Sequence, residues 1–129
     1  MQNSEAALRI RTLIEGCPVP DEAGSAEDEI ADLLRADGWE VARQVYVAER
    51  GDGRGGRVDL VVERDAATVA IEIDRRTPRR KSVVKLRARS WGRVIALRDP
   101  DPGFDLPIPE DLQVARLKPV AFTGWSDGI

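Results

Sequence analysis

Arg57-Val58-Asp59-Leu60-Val61-Val62-Glu63 and Thr68-Val69-Ala70-Ile71-Glu72-Ile73-Asp74 are two β-prone runs separated by the turn Asp65-Ala66-Ala67. A connection that short joins neighbouring antiparallel strands, so the pair reads as a hairpin. In the second run Val69, Ile71 and Ile73 alternate and mark a buried face, which leaves Glu72 and Asp74 on the opposite face. Counted from a turn centred near Ala66, Asp59 stands about seven positions before and Glu72 about six after, nearly opposite each other. Carboxylates meeting at one sheet end repel unless a cation lies between them. A hard divalent ion, Mg²⁺ or Mn²⁺, relieves that repulsion. Asp59 and Glu72 are then its ligands, and Asp74 is either a third ligand or a cap or ion-pair partner for the basic residues that follow. A competing reading makes these acids the solvated face of a half-exposed sheet. Against it, Asp is a poor strand former and Asp59 interrupts an apolar run.

Working outward, Trp39 to Val47 alternates and reads as a strand before the hairpin. Gly51-Asp52-Gly53-Arg54-Gly55-Gly56 is a glycine-rich hairpin loop; no GK[ST] follows, so it is no phosphate loop. Ser25-Ala26-Glu27-Asp28 resembles a capping box opening a helix with Ile30, Leu33 and Leu34 as its apolar stripe, and Gly38 stops it. An earlier helix, Ser4 to Glu15, ends at Gly16 before the helix-breaking Cys17-Pro18-Val19-Pro20 and reads as an appendage packed on the main fold. Beyond Asp74 come the basic loop Arg75 to Arg80, a helix from Lys81 to Ser90, and a strand from Arg93 to Arg98. Pro100, Pro102, Pro107 and Pro109 keep the next stretch extended, and Gln113 to Leu117 reads as a short last strand. The expected fold is α/β, a mixed (α+β) sheet with the order helix, three-strand meander, helix, strand. A chain of 129 residues is one domain: an N-terminal appendage over 1–24, a core over 25–98 and a Pro-rich extension over 99–129.

Composition narrows the chemistry. The chain has no histidine and one cysteine, which excludes His-dependent triads, HExxH sites and zinc fingers. A lone cysteine fits the cytoplasm, and the first residues lack a signal-peptide pattern. No apolar run approaches the roughly 20 residues that span a bilayer. The net charge of −3 conceals a block at residues 75–98 with ten basic and no acidic side chains, set in an otherwise acidic chain. That pattern suits a protein meeting a polyanion on one face; a solvated helix neutralised by neighbours is the plainer alternative. Trp39 and Trp91 read as packing residues, Trp125 as a docking or dimer contact, and Cys17 as a small apolar residue without a base beside it.

Asp59 after Gly-Arg-Val, then Glu72 in Val-Ala-Ile-Glu-Ile after a short hairpin, resembles the PD-(D/E)XK nuclease superfamily, the restriction-endonuclease-like fold. Over Ile71 to Leu86 the chain looks like small phage and bacterial members. The resemblance implies a metal-dependent nuclease hydrolysing DNA phosphodiesters, with Asp59 and Glu72 on the Mg²⁺ (or Mn²⁺). It implies that Glu29 is the acid of the first core helix that helps hold a metal or its water, with Gln44 facing the site. The pattern departs at one position: Asp74 stands where the motif lysine belongs. Lys81 and Lys85, four apart on the next helix, are the replacements, with Lys81 favoured because it starts the helix nearest Asp74. Arg75, Arg76, Arg79, Arg80, Lys81 and Arg87 would grip DNA phosphates, whether duplex, single-stranded or branched. So small a core leaves specificity to substrate shape, a partner or a homodimer. The Asp74 departure also motivates a second expectation, an inactive nuclease-like module that binds nucleic acid or a protein partner.

Overall fold

The computed structural model describes residues 1–48, 55–103 and 109–120. Its elements are α1 (Asn3–Ile14), β1 (Pro18–Pro20), α2 (Ala23–Ala36), β2 (Glu40–Ala48), β3 (Gly55–Arg64), β4 (Ala67–Asp74), α3 (Arg80–Leu86), β5 (Gly92–Leu97), β6 (Gln113–Arg116) and β7 (Lys118–Val120). Strands β2, β3 and β4 form an antiparallel meander, and β5 and β6 extend the same sheet in parallel, giving the order β2-β3-β4-β5-β6. This is the mixed α/β fold the sequence predicts, in the expected core order. The tip of the glycine-rich loop, Pro107 and the tail with Trp125 lie outside the described residues.

Helices cover both sheet faces. One core cluster joins α1 and α2 to the sheet through Ile10, Ile14, Ile30, Leu34, Leu60 and Ile71. The other joins Leu86 of α3 to Val58, Ile95 and Leu97. The stretch expected as an appendage therefore supplies core: Ala6, Ala7, Ile10 and Ile14 recur at helical spacing and are buried. At the N-terminus of α1, Asn3 accepts the Thr68 N–H at 2.9 Å and donates to the Ser90 carbonyl at 3.1 Å. Gly92 permits that approach, since a Cβ there would stand 2.4 Å from the Asn3 carbonyl oxygen.

Three local expectations are corrected. Helix α2 begins at Ala23, ahead of the predicted capping box, because the Glu22 carbonyl already accepts the Ala26 N–H at 2.9 Å; Ser25 falls inside the first turn. Helix α3 ends at Leu86, not Ser90, where Arg87 and Ala88 bond three residues back, to Val84 and Lys85, and tighten the last turn. The prolines at 18 and 20 do more than break a helix, since β1 pairs in parallel with β7 as a separate two-stranded sheet.

The turn between β3 and β4 is a two-residue loop with Arg64 opposite Ala67. Asp65 and Ala66 both have positive φ, 50° and 65°, the sign a hairpin turn with the sheet's twist demands. Alanine bears a Cβ penalty of roughly 1 kcal/mol there. Ala66→Gly is expected to stabilise the fold by up to about 1 kcal/mol in chemical denaturation; a loss of stability would contradict this turn.

Candidate active site

The β3–β4 ladder stops at Leu60 opposite Ile71. The next facing pair is Asp59 and Glu72, and here the strands part. The Asp59 N–H donates to Glu72 Oε2 at 2.9 Å, and the Ile73 N–H donates to Asp59 Oδ2 at 2.8 Å. Two carboxylates thus satisfy two backbone donors that the ladder no longer pairs. The β2–β3 ladder is interrupted at the same level: Arg43 pairs with Leu60 and Val45 with Val58, while Gln44 between them has φ 53°. Val58 and Leu60, two apart, pack in different core clusters, as do Val45 and Val41. An ordinary strand would keep each pair on one face, so the sheet kinks here and opens a cleft of about 420 Å³.

Both flanking helices face that cleft. From α2 comes Glu27, only 8% exposed, accepting Arg43 Nε at 2.8 Å on Oε2 and Gln44 Nε2 at 2.8 Å on Oε1. Gln44 Nε2 also reaches Asp59 Oδ1 at 3.3 Å. From α3 comes Lys85, whose ammonium forms an ion pair with Glu72 Oε1 and donates to the Arg57 carbonyl at 3.0 Å. A continuous polar chain therefore runs Glu27, Gln44, Asp59, Glu72, Lys85. Glu72 is 2% exposed, and burial above all, with the nearby Asp59 charge, pushes its carboxyl up to about 7 against the downward pull of Lys85.

The predicted residues separate accordingly. Asp59 and Glu72 meet as expected, and Gln44 faces them. Glu29 does not: it is exposed, whereas the buried face of α2 carries Ala26, Glu27, Ile30 and Leu34. The acid that α2 delivers is Glu27. Lys85, rather than the favoured Lys81, touches Glu72, because Ser82, Lys85 and Leu86 share the sheet-facing side of α3 while Lys81 is exposed at the cleft rim. Asp74 caps α3: Oδ2 accepts the Arg79 N–H and Oδ1 the Ser82 hydroxyl, both at 2.8 Å, so it makes the capping contact that was one of its two expected roles while it also lines the cleft. Of the basic block, Arg75, Arg76, Arg93 and Arg98 pair with Asp21, Asp99 or Asp111. Arg79, Arg80, Lys81 and Arg87 form no ion pair among the described residues. Cys17 is half-buried and its thiol is pushed up by that burial, in keeping with an apolar role.

Among the described residues, no group of three or more Asp, Glu, His or Cys side chains gathers as a metal cage. Asp59 and Glu72 still offer two hard oxygen ligands. Mg²⁺ commonly takes one or two carboxylates, keeps several waters and completes its shell with substrate phosphate, so the donor set fits such an ion. Among the described residues, no helix is long and apolar enough to cross a membrane.

No protein-family profile and no curated protein matches the chain. A solved structure titled "Protein of Unknown Function AF1548" is similar, with a TM-score of 0.50 and 15% identity over 70% of this chain and 55% of that one. The likeness is one of fold, and this chain spans about half of that neighbour's length.

A carboxyl raised in the folded state stabilises the fold while protonated and loses that contribution as pH rises through its folded value. For Glu72 the loss falls between about 4.5 and 7. In chelator, wild-type Tm is expected to fall from pH 5 to pH 8 more steeply than that of Glu72→Gln; parallel profiles would refute the raised Glu72.

Proposed function

We propose that this chain is a cytoplasmic, Mg²⁺- or Mn²⁺-dependent nuclease of the PD-(D/E)XK type that hydrolyses phosphodiester bonds in DNA. The observation that carries the reading is the meeting of Asp59, Glu72 and Lys85 at a kink in the sheet, beside a rim of cations without acidic partners among the described residues. Asp59 and Glu72 would hold the ion. When bound, it supplies Lewis acidity and a water acidified enough to attack at neutral pH, a route that needs no histidine.

The protein's own residues do the remaining work. Lys85, already seated on Glu72, carries the positive charge that the motif places two residues after its second acid. It is positioned to steady an attacking water or the charge growing on the phosphate. Gln44 orients Asp59 and is itself held by Glu27, so a helix and two strands share the placement of one carboxylate. Arg79 and Lys81 line the cleft and would hold adjoining phosphates, a contact blind to sequence.

A second reading, a module that binds without cutting, draws on two observations: Asp74 is consumed as a helix cap, and every oxygen of Asp59 and Glu72 already has a partner within the chain. Labelled DNA with Mg²⁺ or Mn²⁺ separates the two. Cleavage is expected, and Asp59→Asn, Glu72→Gln and Lys85→Met are each expected to slow it by about 100-fold or more. Glu29→Ala is expected to stay within about twofold of wild type. Cleavage that persists in Asp59→Asn or Glu72→Gln overturns the site, and DNA binding with no cleavage under either ion favours the binding module.

A further inference from the structure

The two edges of the five-stranded sheet are finished differently. At the β6 edge, the end of α1 takes up the outward backbone groups. Arg11 Nε donates to the Val114 carbonyl at 3.3 Å, Glu15 Oε2 accepts the Arg116 N–H at 3.0 Å, and the Gly16 N–H donates to the Arg116 carbonyl at 2.7 Å. At the other edge, β2 pairs with β3 alone, and among the described residues no element pairs with its outer side. An open edge is a template for another strand, and proteins commonly blunt it with charge, proline or a bulge. The kink at Gln44, with φ 53°, interrupts this edge, but residues 40–43 before it keep a regular ladder and contain no proline. Arg43, the cation of that stretch, is turned to Glu27 and Asp28 of α2.

Beside this stretch lies a groove of about 360 Å³, lined among others by Glu40, Ala42, Val45, Val61, Glu63 and Trp91. Register explains why they meet. Val61 belongs to the core cluster under α3, and Glu63, two residues on, shares its face; Ala42 and Glu40 stand directly opposite these two across the ladder. Helix α3 is only seven residues long, and Trp91 packs against the same cluster. Ala42 is exposed and Val45 and Trp91 are half-buried, so the groove is apolar and incompletely covered. At its rim the exposed Glu40 and Glu63 face each other. Like charges directly opposite on neighbouring strands are destabilising. Neither glutamate has an ion-pair partner among the described residues. Cations of the adjoining segments are engaged elsewhere: Arg64 with Asp37 and Asp65, Arg93 with Asp111, and Arg89 over the Trp91 ring, 5.9 Å from its centroid.

We propose that the β2 edge at residues 40–43 is a docking site for an extended basic segment of a partner protein. The segment adds to the sheet as a further strand, with apolar side chains over Ala42, Val45 and Trp91 and a lysine or arginine at Glu40 and Glu63. In strand addition the main-chain hydrogen bonds supply affinity, and pockets for alternate side chains supply selectivity. A cation at the rim converts the repulsion between two glutamates into charge-assisted contacts. Charge also selects a foreign segment over a second copy of this chain. Two β2 edges paired in one continuous sheet present the same face to each other, and before the kink that face carries Glu40 and Ala42. Such a dimer doubles the acids and adds no cation to them. None of Asp59, Glu72 and Lys85 takes part, so docking and cleavage are separable.

The test is a titration of the full-length, isotope-labelled chain with the synthetic peptide acetyl-Val-Thr-Lys-Thr-Val-Thr-amide, followed by amide NMR signals up to about 1 mM peptide. In an extended peptide its valines and lysine share one face. Signals of residues 40–45 are expected to move and those of residues 113–116, on the covered edge, to stay. The lysine peptide is expected to bind at least about tenfold tighter than the same peptide with glutamate in place of lysine. Glu40→Lys with Glu63→Lys is expected to reverse that preference, and Ala42→Arg, which fills the groove, to weaken binding of the lysine peptide by about tenfold or more. All three side chains are exposed, so both variants are expected to fold, which their remaining amide signals verify. No shift at β2 by about 1 mM, or equal binding of the two peptides by the wild type, overturns the proposal. So does a dimer that forms through β2 without peptide.

Discussion

Where the backbone ladder between β3 and β4 ends, two acidic side chains take over two main-chain donors, and the rest of the site depends on that substitution. A buried N–H without a partner costs roughly 1–3 kcal/mol, so parting two strands inside a sheet is expensive unless something replaces the lost acceptors. Asp59 and Glu72 replace them reciprocally, each accepting an N–H at the position the other strand has vacated. The same parting fixes both carboxylates against the backbone and opens the cleft they line. Opening the sheet and seating the acids are one structural event.

The arrangement carries a permanent electrostatic tension. Glu72 is buried next to another carboxylate, and both facts work against its ionisation, while Lys85 works for it. A buried acid in this balance favours the approach of a cation, whether an ammonium from α3 or a small divalent ion from solution. Lys85 fills the first role, reaching Glu72 from α3 rather than from the sheet. It can do so because α3 packs directly over the end of β4, with Asp74 and Ser82 bonded at the junction. Asp74 thereby takes on a structural task, holding the helix that delivers the lysine.

The basic block illustrates how folding edits a charge pattern. Along the chain it is one uninterrupted positive stretch. In three dimensions Arg75, Arg93 and Arg98 turn toward acids brought from distant segments, Asp21, Asp99 and Asp111, while Arg79, Arg80, Lys81 and Arg87, at and around α3, have no acidic partner among the described residues. Exposed ion pairs of this kind contribute little stability. Their larger consequence is to concentrate the free positive charge on one side of the cleft.

Much of this was readable from residue order alone. Period-two alternation and a short turn identify the β3–β4 hairpin, and counting from its turn places Asp59 opposite Glu72, because strand register follows from turn length. The element order follows from the same local patterns. Helix phase held more than a first reading takes from it: stepping back from Ile30 and Leu34 in threes and fours lands on Glu27, not Glu29, and the same step from Leu86 lands on Ser82 and leaves Lys85, not Lys81, beside it on the sheet side. Three features needed the assembled fold. The first helix joins the core because only the completed sheet offers it a face to cover. Asp74 becomes a cap because α3 docks on it. The kink at Gln44 and Asp59 exists because pairing fails on both sides of β3 at one level, a relation among three strands that no single stretch of residues encodes.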